Sequence, residues 1–236
     1  IELTICSMIF GSIVGLVLGV TAATYRNSII DYLTTVVSVT GVSMPIFWLG
    51  LMAIILFSIK LPLFPISGRL DPTITFRGRT GLIILDSLLQ GNFAVFKDAI
   101  HHIFLPALCL GTIPLASIAR MTRSSMLEVL NQDFIRTAKA KGLPSRKVIY
   151  THALRNALIP VVTVMGLQFG SLLGGAVLTE TIFAWPGIGR LSVEAIDARN
   201  YPVIQGCIIF FAFIFVIINL LVDILYAFID PRIRYE

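Results

Sequence analysis

Apolar and polar positions alternate in long blocks along this chain. Five apolar runs, roughly Leu3 to Tyr25, Val36 to Ile59, Ile103 to Met121, Leu158 to Ile182 and Val203 to Ile229, are separated by polar connections. Each run is close to the about 20 apolar residues that a helix needs to cross a hydrocarbon core. The pattern therefore predicts an all-α, polytopic membrane bundle with five spans.

Two runs carry small residues at every fourth position. Ser7, Gly11, Gly15, Gly19 and Ala23 form one seam, and Gly166, Gly170 and Gly174 form another. Apolar burial does not drive helix association in lipid, so such seams act by letting backbones approach and gain dispersion contacts. A fixed packing face and a sliding surface both fit this pattern. Other runs are interrupted, by Gly41 and Pro45 in TGVSMPIFWLG and by Pro106, Gly111 and Pro114 in LPALCLGTIP. Proline removes a backbone hydrogen bond, and a freed carbonyl at membrane depth is tolerated only against protein or a wet cavity. Broken helices often line pathways. Ser43, Met44, Pro45, Thr112 and Ser117 are the candidates for such a lining, with plain kinks as the alternative, and Glu180 in LTETIFAWPGIGRL joins that set.

Composition turns the pattern into a class. Hydrophobic residues make up 56% of the 236 and charged residues only 13%, with a mean hydropathy of +0.90, whereas soluble domains carry charge at about one residue in four. This length allows one bundle, so residues 1–236 read as a single transmembrane domain. A net charge of +5 raises the question of nucleic acid. In so apolar a chain the basic residues instead mark membrane-flanking loops, and a nucleic-acid partner is set aside. Cys6, Cys109 and Cys207 lie far apart inside apolar runs, without the spacing of a zinc site or disulfide framework. The chain begins at Ile1, already in an apolar run, so an earlier segment is expected.

Five spans place successive connections on alternate sides. Arg26, Arg120, Arg123, Arg136, Lys139, Lys141, Arg146, Lys147, Arg155, Arg232 and Arg234 share one side. Lys60, Arg69, Arg77, Arg79, Lys97, Arg190 and Arg199 share the other. The first group is larger and closer to span ends, which makes its side cytoplasmic by the positive-inside rule. Five of its members fall in DFIRTAKAKGLPSRKVIY, where Asp133 can cap a short helix, Gly142 can end it and Pro144 can start a second. The result is a helix, a tight turn and a helix. Ala138, Ala140 and Gly142 keep it slender while Phe134 and Ile135 give it an apolar side, the shape of a plug for a groove on another protein.

The opposite side carries LPLFPISG and TETIFAWPGIGRLSVEAIDARNYP. Trp185 and Tyr201 suit the interfacial belt, and Pro186, Gly187 and Gly189 turn the chain. Asp223 in the last run is read as an interhelical structural bond near Asn219 rather than a proton relay. Several chemistries have no carrier. There is no Walker-type phosphate loop, no Gly-x-Ser-x-Gly elbow, and His101 and His102 are neighbours that splay on a helix without a third ligand. The chain is not read as an enzyme, and no cofactor or metal is assigned to it.

RMTRSSMLEVL, DFIRTAKAKGL, HALRNALIPVV, LTETIFAWPGIGRL, YPVIQG and DPRIR together resemble the permease subunits of bacterial binding-protein-dependent ABC importers, in the dipeptide, oligopeptide and nickel group. The likeness covers essentially the whole chain. It implies a type I ABC importer transmembrane domain in the bacterial inner membrane, with a further span before Ile1. The implied partners are a second homologous permease, two cytoplasmic ATPases that carry ATP and Mg, an extracellular or periplasmic binding protein, and the lipid bilayer. The implied activity is alternating-access import of dipeptides or short peptides, with nickel-chelate, glutathione, haem or oligopeptide cargo as alternatives. A self-contained secondary transporter is the rival class, but it would tend to show internal repeats and an intramembrane charge pair. In the wider family a cytoplasmic signature reads Glu-Ala-Ala, three residues, then Gly. Aligned on Gly142, it places Arg136, Thr137 and Ala138 at its first three positions, of which Ala138 alone matches, and Pro160 falls later than the pattern expects. The resemblance makes Asp133, Phe134, Arg136, Thr137, Ala138, Lys141, Gly142, Leu143 and Pro144 the ATPase-coupling element, and Trp185, Pro186, Gly187 and Arg190 the contact for the binding protein.

Overall fold

Lipid offers the backbone no hydrogen-bonding partner, so a chain this apolar has to satisfy its amides internally. A computed structural model describes residues 1–229, and no strand occurs among them. The helices are α1 (Glu2–Thr24), α2 (Ile29–Ser43), α3 (Ile46–Ala53), α4 (Ile83–Leu89), α5 (Phe93–Leu130), α6 (Asp133–Ala140), α7 (Ser145–Lys147), α8 (Leu154–Gly175), α9 (Val177–Ile182), α10 (Ile188–Asp197) and α11 (Tyr201–Ile229). A π-helical stretch, Ile54–Lys60, continues α3, and another, Val148–Ala153, joins α7 to α8.

Four helical segments are long and apolar enough to span a membrane: Glu2–Thr24, Phe93–Leu130, Ser145–Leu172 and Tyr201–Leu221. Counting α2 with α3 as one broken span makes five. The expected second span is divided where Met44 and Pro45 leave the helix, since the residue before a proline disfavours the helical region. The expected interruption of the third span is absent. α5 runs through Pro106, Gly111 and Pro114 for 38 residues, and 72% of its most apolar window is buried. Packing on most sides holds it helical despite the missing amides. The fourth span ends at Gly175, and α9 forms a separate helix after Ala176. Arg232 and Arg234, and the side chain of Asp223, lie outside the described residues.

The described residues group into two compact units. Among the described residues, the first contains Ile1–Ser7, Met44–Gly111 and Ser171–Phe215; the second contains Met8–Ser43, Thr112–Gly170 and residues 216–229. In the first unit, Ala53, Ile54, Leu105, Cys109 and Phe183 form the core, flanked by Leu49, Phe57 and Phe64. Gly50 lets α3 approach α9, because a Cβ there would stand 3.3 Å from Ile182 Cγ2. The connection after α3 is pinned in three places. Gly68 N–H donates to the Phe183 carbonyl at 3.0 Å, His101 Nε2 lies 2.6 Å from the Leu63 carbonyl oxygen, and Phe64 stacks on Phe104 at 4.6 Å.

In the second unit, the first small-residue seam packs α1 on α5. A Cβ on Gly15 would lie 2.8 Å from the Leu115 carbonyl oxygen, and one on Gly19 would lie 2.6 Å from that of Ala119. Only glycine permits this approach. At the Ala23 end of the seam, Val20, Ala23, Met126, Val129, Ile135, Ala138, Val148, Ala153 and Ala157 form one continuous buried cluster.

Candidate functional site

The stretch from Asp133 to Ala153 folds as the expected helix, turn and helix, with one change at its start. Gln132, with extended φ and ψ of −77° and 154°, occupies the cap position, and Asp133 is the first helical residue. Its carboxylate pairs instead with Arg136 at 3.3 Å, an exposed contact of little energetic weight. At the other end Gly142 has φ of 73°. Its N–H donates to the Lys139 carbonyl at 3.0 Å, and the Leu143 N–H reaches back to Ala138 at 3.4 Å. These bonds close α6 in the left-handed manner that glycine favours. Pro144, at φ −62° and ψ 141°, then caps α7.

This elbow has two faces. Ile135, Val148 and Ala153 are fully enclosed in the cluster that also holds the ends of α1 and α5. Ala138, expected on the contact surface, is buried there too, since its small side chain is what lets α6 lie close. Leu143 is half-buried against the same cluster. Asp133, Phe134, Arg136, Thr137, Lys141, Gly142 and Pro144 are exposed. The inner face of the elbow is therefore joined to α1 and α5 by packed side chains.

Of the residues expected along a pathway, the structure brings Thr112 against the end of α2, where a Cβ on Gly41 would lie 3.3 Å from Thr112 Cβ. Ser43 is exposed, its hydroxyl donating to the Val39 carbonyl at 3.0 Å, and Ser117 is half-buried. These three belong to the second unit, while Met44, Pro45 and Glu180 belong to the first. Glu180 has a structural task. Its carboxylate accepts the Arg190 N–H at 3.1 Å, and its carbonyl accepts the Trp185 N–H at 2.8 Å. A side chain on Gly187 or Gly189 would collide with that carboxylate, so both glycines make room for it.

Trp185 does not sit in an exposed belt. It is 5% exposed, with the Arg69 guanidinium 5.6 Å from its ring centroid, and Arg69 in turn bonds Glu2 at 2.5 Å. Glu2, Arg69, Glu180 and Trp185 border a cavity of about 290 Å³. Arg190 is held by Glu194 at 2.7 Å and by the Ala184 carbonyl at 2.9 Å. That leaves Pro186 as the exposed tip of the turn, beside half-buried Gly187 and Arg190.

Sequence reasoning missed the junction of Asp31 and Arg123. Arg123 donates from Nε and Nη2 to the two Asp31 oxygens, at 2.8 Å each, and the Asn27 N–H adds a third bond at 3.0 Å. Ser28 and Asp31 stand three apart, the spacing of a capping box, and the Asp31 N–H does donate to Ser28 Oγ at 3.3 Å. That spacing was the available signal.

The described residues form an apolar, all-helical membrane protein with a broken span and a short helical elbow packed against helix ends. The chain belongs to the family of binding-protein-dependent transport system inner membrane components, whose family model matches residues 15–235. It is 53% identical over 236 residues to the di/tripeptide transport system permease protein DppB of Pseudomonas aeruginosa (strain UCBPP-PA14), covering 100% of this chain and 70% of that protein. The dipeptide transport system permease protein DppB of Escherichia coli (strain K12) is 52% identical over 239 residues, again covering 100% of this chain and 70% of the relative. Among solved structures, an inward-facing form of the MetNI methionine ABC transporter aligns with a TM-score of 0.71 over 97% of this chain and 91% of that one, at 17% identity. That likeness concerns the fold, which is the type I ABC importer transmembrane fold.

Proposed function

We propose that this chain passes dipeptides or short peptides across a bacterial inner membrane, by alternating access driven by separate ATPases. The two named relatives are peptide permeases at 53% and 52% identity, which supports the cargo class. The observation that carries the coupling is the two-faced elbow, with Ile135, Ala138 and Val148 inside and Phe134, Arg136, Thr137, Lys141 and Pro144 outside. A rigid-body movement of an ATPase gripping the outer face would be passed to α1 and α5 as a displacement of packed helices. The other partners are a second homologous permease and a binding protein delivering substrate near Pro186 and Arg190. Ser43, Thr112 and Ser117 line part of the route. ATP and Mg bind on the motors, not on this chain.

The test is uptake by the full-length protein reconstituted with its partner permease, ATPases and binding protein. Labelled dipeptide should accumulate only with ATP, and a bulky replacement, Gly142→Trp, should abolish uptake while the spans remain folded. Accumulation of glutathione or a nickel chelate in place of dipeptide would reassign the cargo. Unchanged uptake by Gly142→Trp would reject the elbow as coupling element.

A further inference from the structure

At the root of the elbow lies a pocket of about 420 Å³ that the coupling role does not use. Its lining comes from the end of α1, the end of α5 and the elbow itself, all within the second unit. Two cations, Arg26 and Lys139, stand at it together with Thr24, Asn131 and Ser145, and none of the lining residues is acidic. Among the described residues neither cation has a hydrogen bond or a short ion pair. The Arg26 charge is felt by the Asp31 carboxylate, which is itself already held bidentately by Arg123. The remaining wall is apolar, with Leu127, Leu130, Leu143 and Ile149, and all four of these also pack against the buried cluster that carries the elbow.

Two unpaired cations, hydrogen-bonding groups and an apolar wall at the ends of membrane helices match one ligand chemistry, a phosphate attached to a hydrocarbon chain. Basic pockets between membrane helices hold anionic headgroups by this combination, each cation near the surface strengthening binding about five-fold. We propose that this pocket binds the headgroup of an anionic phospholipid, with Arg26 and Lys139 on the phosphate and the chain along Leu127 and Leu130. The lipid then sits against the elbow's own packing. Its presence stiffens the joint through which the motor's movement passes, which makes transport sensitive to the charge of the membrane.

The full-length complex is purified into nanodiscs of phosphatidylcholine alone or of phosphatidylcholine with phosphatidylglycerol, and retained lipid is counted by native mass spectrometry. Wild type should retain phosphatidylglycerol selectively. Arg26→Gln and Lys139→Gln should each weaken retention about five-fold, and the pair about 25-fold. Arg26→Lys, which keeps the charge, should retain it. The ratio of ATPase rates in the two lipid mixtures should exceed one for wild type and approach one for the double variant. Equal retention by wild type and double variant overturns the proposal. So does displacement of the lipid by millimolar inorganic phosphate, which would make the pocket a site for a free anion. Loss of the ATPase from the double variant would assign the pocket to the motor instead. Lipid retention does not depend on uptake, so it can fail while the importer reading stands, and the reverse.

Discussion

Arg123 on α5 and Asp31 in the first turn of α2 are joined by two parallel hydrogen bonds of 2.8 Å each. The residues lie 92 positions apart, and the carboxylate is almost completely enclosed while the guanidinium side chain is 34% exposed. Removing Arg123 leaves a buried, partly unsatisfied anion. Arg123→Ala should therefore cost about 2 kcal/mol, the lower part of the range for breaking a buried pair because the arginine is partly solvated. Asp31→Asn in the same background should recover part of the loss, since it removes the orphaned charge. Thermal unfolding of the purified complex checks this, and a double variant no more stable than Arg123→Ala would contradict it.

Gly19 and Gly206 form a matched pair of controls. A Cβ at Gly19 would meet Thr122 Cβ at 2.5 Å and the Ala119 carbonyl oxygen at 2.6 Å, whereas one at Gly206 meets nothing within 4 Å. Gly19→Ala should destabilise by about 1–3 kcal/mol through overpacking, and Gly206→Ala should be neutral or slightly stabilising because alanine is the better helix former. Equal melting points for the two variants would refute the account of the α1 seam.

Asp86 ties the connection before α4 to that helix. Its burial opposes ionisation, but the Thr80 N–H, the Thr80 hydroxyl and the Gly81 N–H, at 3.0–3.1 Å, outweigh it and hold the carboxyl below the usual aspartate range. A lowered folded-state pKa means that the stabilisation is complete above the ordinary value of about 4 and is lost as pH falls below it toward the folded value. Hydrogen-exchange protection factors at Thr80 and Gly81 should be constant from neutral pH to about 4.5 and decline at lower pH. In Asp86→Asn they should be lower throughout and independent of pH over that window.

Ile135 and Ala138 tie the elbow to the spans, so their effects should separate from those of the exposed face. Ile135→Ala opens a cavity in a fully enclosed cluster and should cost about 2–5 kcal/mol. Peptide uptake should fall more than ATP hydrolysis does, because the motor turns over without moving the spans. Equal losses of uptake and hydrolysis would show that the buried face does not carry the movement.

The spans were legible because lipid imposes a length and a composition that few other folds share. Gly142 and Pro144 were equally legible, each having a backbone preference that matches the turn it makes. The break at Pro45 and the continuity at Pro106 and Pro114 show where local rules stop, since a proline in a helix packed on most sides does not end it. Trp185 reads as a belt residue until Arg69 is found over its ring, and Ala138 reads as surface until α6 is seen to lie on it. Neither contact has a local signature. The same holds for Glu180, whose partners at Gly187, Gly189 and Arg190 come from the following helix and its approach, and for Arg123 with Asp31.

The most direct test of the central claim places a photo-crosslinking side chain at Phe134, Thr137, Lys141 or, as a control on an exposed apolar face, Ile208, in the assembled complex. The account predicts adducts with the ATPase from the three elbow positions and none from Ile208. An ATPase that co-purifies with the permease yet forms no adduct at any elbow position would contradict it.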